Sequence, residues 1–103
     1  MVRGGSVYIM TNKPYGVLYV GVTSKLILRV QQHKTKFHPK SFTARYNLDK
    51  LIGYEHLPTI VEAIAREKQL KAGNRARKIK FIEAMNPQWL DLCDKLVQEA
   101  EGQ

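Results

Sequence analysis

The chain of 103 residues is long enough for one domain with a modest core, and 44% apolar residues with only 7 Gly and 4 Pro exclude a disordered or fibrous segment. Its single cysteine, Cys93, excludes an internal disulfide, and no apolar run approaches the roughly 18 residues of a membrane helix, so a soluble, cytoplasmic protein with no membrane partner is expected. The net charge of +8 is uneven: residues 1–80 carry 16 Lys and Arg against 4 Asp and Glu, whereas residues 81–103 carry 1 against 5, so the first 80 residues favour a polyanionic partner.

In chain order, Ser6 to Thr11 and Val17 to Val22 are rich in β-branched and aromatic residues, and Asn12-Lys13-Pro14-Tyr15-Gly16 between them has turn chemistry. These features predict a β-hairpin. Thr23 or Ser24 can cap a helix running to about Phe37, stopped by His38-Pro39, with Leu26, Val30 and Phe37 on one stripe and Arg29 and His33 one turn apart along its edge. A basic loop, His38 to Asn47, leads to a third strand over Asp49 to His56. Thr59-Ile60-Val61-Glu62 matches a capping box, which starts a helix to about Lys71 that Gly73-Asn74 ends. Arg75 to Met85 forms another helix, and Gln88 to Ala100 a last amphipathic one with Trp89, Leu92 and Leu96 inward. The expected fold is a small single α/β domain over 1–103, a three-stranded sheet flanked by helices in the order β-β-α-β-α-α-α, with its core over about 6–87.

The helix from Thr59 contains one residue that breaks the pattern. At 100° per residue Glu67 falls within about 20° of Ile60 and so on the inward side. Glu62 and Arg66 fall on the solvent side as an i,i+4 pair. A charged carboxylate is seldom buried without a partner or a metal, so Glu67 calls for a salt bridge to Arg29 or to a lysine of another helix, a stem that snorkels out to water, or a bound ion.

Ser6-Val7-Tyr8 is followed by Tyr19-Val20-Gly21, by Arg29 and His33 one helical turn apart, then by Ser41-Phe42-Thr43-Ala44-Arg45-Tyr46, Ala65-Arg66-Glu67-Lys68-Gln69-Leu70-Lys71 and Asn86-Pro87. In this order and spacing the chain resembles the GIY-YIG nuclease superfamily, and within it the small stand-alone bacterial members related to the amino-terminal nuclease domain of the bacterial excinuclease, with the first two tripeptides standing for the pair that names the family. The resemblance implies a metal-dependent DNA endonuclease with a one-metal, water-attack mechanism, and DNA repair as its setting. It implies Glu67 as ligand of Mg²⁺ or Mn²⁺, Arg29 on the scissile phosphate, Tyr19 activating water, and Tyr8, His33 and Asn86 positioning these parts. Oxygen ligands suit Mg²⁺, and the planar guanidinium suits a phosphoryl group. Lys34, Lys36, Thr43, Arg45 and Tyr46 are candidate nucleic-acid contacts. Ser6 replaces the first glycine of the pattern, and Val7 and Val20 replace isoleucines. The alternative is a catalytically weak nucleic-acid-binding module of the same fold that acts with a protein partner.

Overall fold

A computed structural model describes residues 4–101. Strands β1 (Gly5–Thr11) and β2 (Leu18–Thr23) form the expected hairpin, and β3 (Lys50–Leu57) pairs with the other edge of β1 in an antiparallel sheet ordered β2-β1-β3. Helices α1 (Leu26–Lys34), α2 (Phe42–Arg45), α3 (Ile60–Ala72), α4 (Arg75–Met85) and α5 (Cys93–Glu101) complete the domain. The order β-β-α-β-α-α-α therefore holds, with α2 as an added single turn.

Because β1 is central and covered on both faces, all seven of its residues are buried. Tyr8 and Met10 pack with Leu26 and Val30 of α1, with Leu92, and with Leu96 of α5. Val7 and Ile9 pack on the opposite face with Leu70 of α3 and Ile82 of α4. The pairing of β1 with β3 shifts between Ile9 and Met10, which face Gly53 and Leu51 respectively. The extra residue is a bulge. Ile52 and Gly53 both turn toward α4, where Ile52 joins the Ile82 cluster and Gly53 lies beneath Phe81, and Tyr54 returns to the Tyr8 face.

The helix ends explain the main departures from expectation. α1 stops at Lys34, before His38-Pro39, because Lys36 adopts φ 55° while Lys36 N donates to His33 O and Phe37 N to Gln32 O. This is a Schellman termination, usually made with glycine. Phe37 is consequently 63% exposed and does not share the inward stripe of Leu26 and Val30. At the other end neither Thr23 nor Ser24 is the N-cap residue; that position is Lys25, whose amide donates to Thr23 Oγ1.

The basic loop 38–47 is partly helical, since Ser41 Oγ accepts from Ala44 N and Asn47, at φ 57°, closes α2 through a second Schellman pair. The C-terminal helix begins at Cys93 rather than at residue 88, because Trp89 has φ 56° and Asn86 holds the intervening turn. Trp89, Leu92 and Leu96 are nevertheless buried, as expected. α3 and α4 start where the sequence places them, with Thr59 and Asn74 as side-chain caps. Arg66 does not pair with Glu62: its Nε donates to Glu55 of β3 at 2.9 Å and its guanidinium lies over Phe81, which draws it off the solvent side.

Candidate active site

Alternation along the hairpin points Tyr8 and Tyr19 to the same face of the sheet. Gly21 lies opposite Tyr8 in the register, and a Cβ there would sit 2.5 Å from the Tyr8 ring and hydroxyl. The glycine therefore gives Tyr8 room to lie flat across β2. The hydroxyl of the fully buried Tyr8 reaches His33 Nε2 at 2.9 Å, and His33 Nδ1 meets Thr43 Oγ1 at 2.8 Å. Thr43 Oγ1 in turn lies 3.2 Å from Ser41 Oγ, so four side chains drawn from β1, α1, α2 and the α2 cap form one polar chain. Tyr19 packs on it, with ring centroids 6.2 Å from Tyr8 and 5.7 Å from His33.

The electrostatics follow from burial. Burial first, then the Arg29 and His38 charges, pull His33 down to about 4. His33 is thus neutral at pH 7, with one ring nitrogen donating and the other accepting. The hydroxyls of Tyr8 and Thr43 must therefore play opposite roles toward it. Burial and the adjacent Tyr19 raise Tyr8 well above the usual tyrosine range, against a smaller pull from Arg29, so Tyr8 stays a neutral phenol. Arg29 is exposed on α1, one turn before His33, and has no acidic partner among the described residues. A cavity of about 250 Å³ opens between Tyr19, Arg29, His33, His38, Ser41 and Thr43. Such a pocket presents a guanidinium fork and several hydroxyls, a set suited to an oxyanion.

The mouth of this cavity is aromatic. Phe42 stacks toward Tyr19 with ring centroids 6.2 Å apart and meets Tyr46 in a tilted contact at 4.7 Å, and both Phe42 and Tyr46 are nearly half exposed. Arg45 is exposed beside them. Ser41 and Phe42 stand in the sequence motif with no chemistry that spacing could assign to them, and only the packing of α2 against α1 shows what they touch. Three of the expected nucleic-acid contacts are already engaged within the fold. Thr43 is 3% exposed and serves the His33 chain, Lys34 is tied to Asp91 at 2.6 Å and to Asp49 O at 2.8 Å, and Lys36 donates to Asn47 Oδ1.

Glu67 is drawn in, at 16% side-chain exposure, and pairs with Lys71 of its own helix at 3.2 Å rather than with a cation from another element. Its helix covers the Val7–Ile9 face, opposite Tyr8 and Tyr19. Arg66 points from α3 toward β3, so Glu67, about 100° further round the helix, turns toward β2. Glu67 and the Tyr19 cavity thus approach the β2 edge from opposite faces. Among the described residues no three His, Cys, Asp or Glu side chains cluster as a metal cage. A lone carboxylate suits only an ion that keeps most of its waters. Asn86, 4% exposed, is spent on the fold: its Nδ2 donates to Ile52 O and Leu90 O, and its Oδ1 accepts from Leu90 N.

A family model described as the GIY-YIG catalytic domain matches residues 4–80, well over half of the chain and every element from β1 through part of α4. No curated protein and no solved structure matches.

Proposed function

The chain belongs to the GIY-YIG nuclease superfamily, and from that premise we propose that it hydrolyses DNA phosphodiester bonds by water attack beside Tyr19 and Arg29. The observation that carries this reading is the neutral Tyr8–His33–Thr43 chain set under Tyr19, next to a guanidinium with no acidic partner among the described residues. Arg29 binds the scissile phosphate and stabilises the charge that develops on its oxygens. Tyr19 gives up its phenolic proton to solvent and, as the tyrosinate, accepts a proton from the attacking water. Tyr8 and His33 hold Tyr19 and the phosphate in register, and Thr43 sets the His33 tautomer. Phe42 and Tyr46 offer flat faces to bases next to the cut, and Arg45 offers its charge to their phosphates.

Glu67 fits a Mg²⁺ or Mn²⁺ ion, because it is a partly sheltered oxygen donor whose one ion-pair partner among the described residues is the exposed Lys71. When bound, such an ion supplies Lewis-acid polarisation of a phosphate oxygen and a more acidic water. Asn86 acts on the site only indirectly, by joining β3 to the turn before α5. The test is cleavage of labelled single-stranded, duplex and branched DNA, and of RNA, with Mg²⁺ or Mn²⁺. Wild type cuts DNA, and Arg29→Ala and Glu67→Gln each lose about 100-fold or more. Wild-type rates in either variant would overturn the assignment. One observation favours the alternative of a binding module with weak catalysis, namely that the Lys71 ammonium already occupies the Glu67 carboxylate. DNA binding that persists with no cleavage under either metal would establish that alternative.

A further inference from the structure

On the face of the sheet opposite Tyr8, α3 and α4 leave between them a groove of about 620 Å³ that reaches down to β3. One wall is Arg66, Gln69 and Leu70, and the other is Arg77, Lys80 and Phe81. Each wall is an i, i+3, i+4 set, so each helix turns one coherent stripe into the opening. Both stripes carry positive charge.

The cations are in different states. Arg66 is partly neutralised by Glu55, the one acidic residue lining the groove, and rests 5.3 Å from the Phe81 ring centroid. Arg77 and Lys80 are exposed and have no acidic partner among the described residues. Facing like charges raise the energy of the empty groove, and a bound polyanion relieves them. Between the charges the lining includes apolar Leu70 and Met85. A ligand with regularly spaced phosphates and flat apolar parts matches this pattern better than a small hydrated anion.

We propose that the α3–α4 groove is a second nucleic-acid track, which grips phosphates of the strand beyond the segment held at the Tyr19 cavity. The proposal rests on a nucleic-acid substrate for this chain but not on its catalysis. It gives a small domain a means of holding substrate at two places.

The test is fluorescence anisotropy in EDTA, so that no cleavage intrudes, with a labelled DNA of about 8 nucleotides and one of about 30, spanning one such site or several. Arg77→Glu/Lys80→Glu is compared with Lys68→Glu/Lys95→Glu, which changes net charge equally at exposed positions outside the groove. The groove variant should bind the long DNA at least about ten-fold more weakly, with a salt slope shallower by about 1.5, and bind the short DNA nearly as wild type. Equal weakening by the control pair, equal loss on the short DNA, or an unchanged long-DNA affinity would each overturn the proposal. Urea midpoints verify folding, and Arg77→Gln/Lys80→Gln replaces the reversal if it unfolds. Cleavage is read separately: a wild type that does not cut but shows these binding differences sinks the catalytic reading and leaves the track standing.

Discussion

Gly21→Ala tests whether the Tyr8 chain depends on close approach to β2. The added Cβ would lie 2.5 Å from Tyr8 Cζ and Oη and 2.9 Å from Tyr19 Cε2, whereas carbon contacts are comfortable at about 3.5–4.0 Å. Tyr8 would have to retreat by about 1 Å, and at 0% exposure it has no solvent to retreat into. Overpacking of this kind costs about 1–3 kcal/mol, and loss of the bond to His33 adds about 0.5–1.5. A destabilisation of about 2–4 kcal/mol should lower the urea midpoint by about 1–2 M. Equilibrium urea unfolding by circular dichroism measures it, and the His33 imidazole resonances report whether the Tyr8 contact survives. The sign is diagnostic, because a strand glycine replaced by alanine without a clash gains about 0.5–1 kcal/mol. An unchanged or raised midpoint would refute the packing argument.

Two further outcomes follow from the same geometry. His33 in the folded chain sits near 4, below the ordinary value of 6.5, so its contribution to stability is present above 6.5 and is lost as pH falls from 6.5 toward 4, where the unfolded chain takes up the proton first. The imidazole is only about half buried, so after discounting for solvent screening the loss is about 1–2 kcal/mol. His33→Gln should flatten the urea midpoint over this window relative to wild type, and parallel pH profiles would contradict the assignment. Asn86→Ala removes three hydrogen bonds at a buried position and should cost about 2–4 kcal/mol. If Asn86 is structural, the surviving folded fraction of that variant binds DNA normally; a stable variant with a specific cleavage defect would return Asn86 to the site.

Much of the fold was readable because its signals are local. The hairpin, the Thr59 cap and the span of α4 each depend on residues close together in the chain, whereas Asn74, which the sequence marks as a helix end, also caps α4. The failures are also local in origin, and they come from non-glycine residues at positive φ. Lys36, Asn47 and Trp89 bend the chain where glycine is the usual signal, and so α1 ends early, the basic loop gains α2 and α5 starts late. Arg66 shows a different limit, because a helical wheel predicts an i,i+4 partner but not Glu55 and Phe81 reaching it from other elements.

By itself the sequence determined the family, the element order and the inward turn of Glu67, because these depend on residue type and spacing along the chain. Only the tertiary structure decided which groups meet. The Tyr8–His33–Thr43 chain joins residues from three elements, and whether Thr43 faces DNA or a histidine depends on how α2 docks on α1. Spacing placed Glu67 and Tyr19 in one motif set, but the sheet set them on opposite faces that converge on the β2 edge, because side-chain direction in a layered fold is fixed by the layer a helix covers.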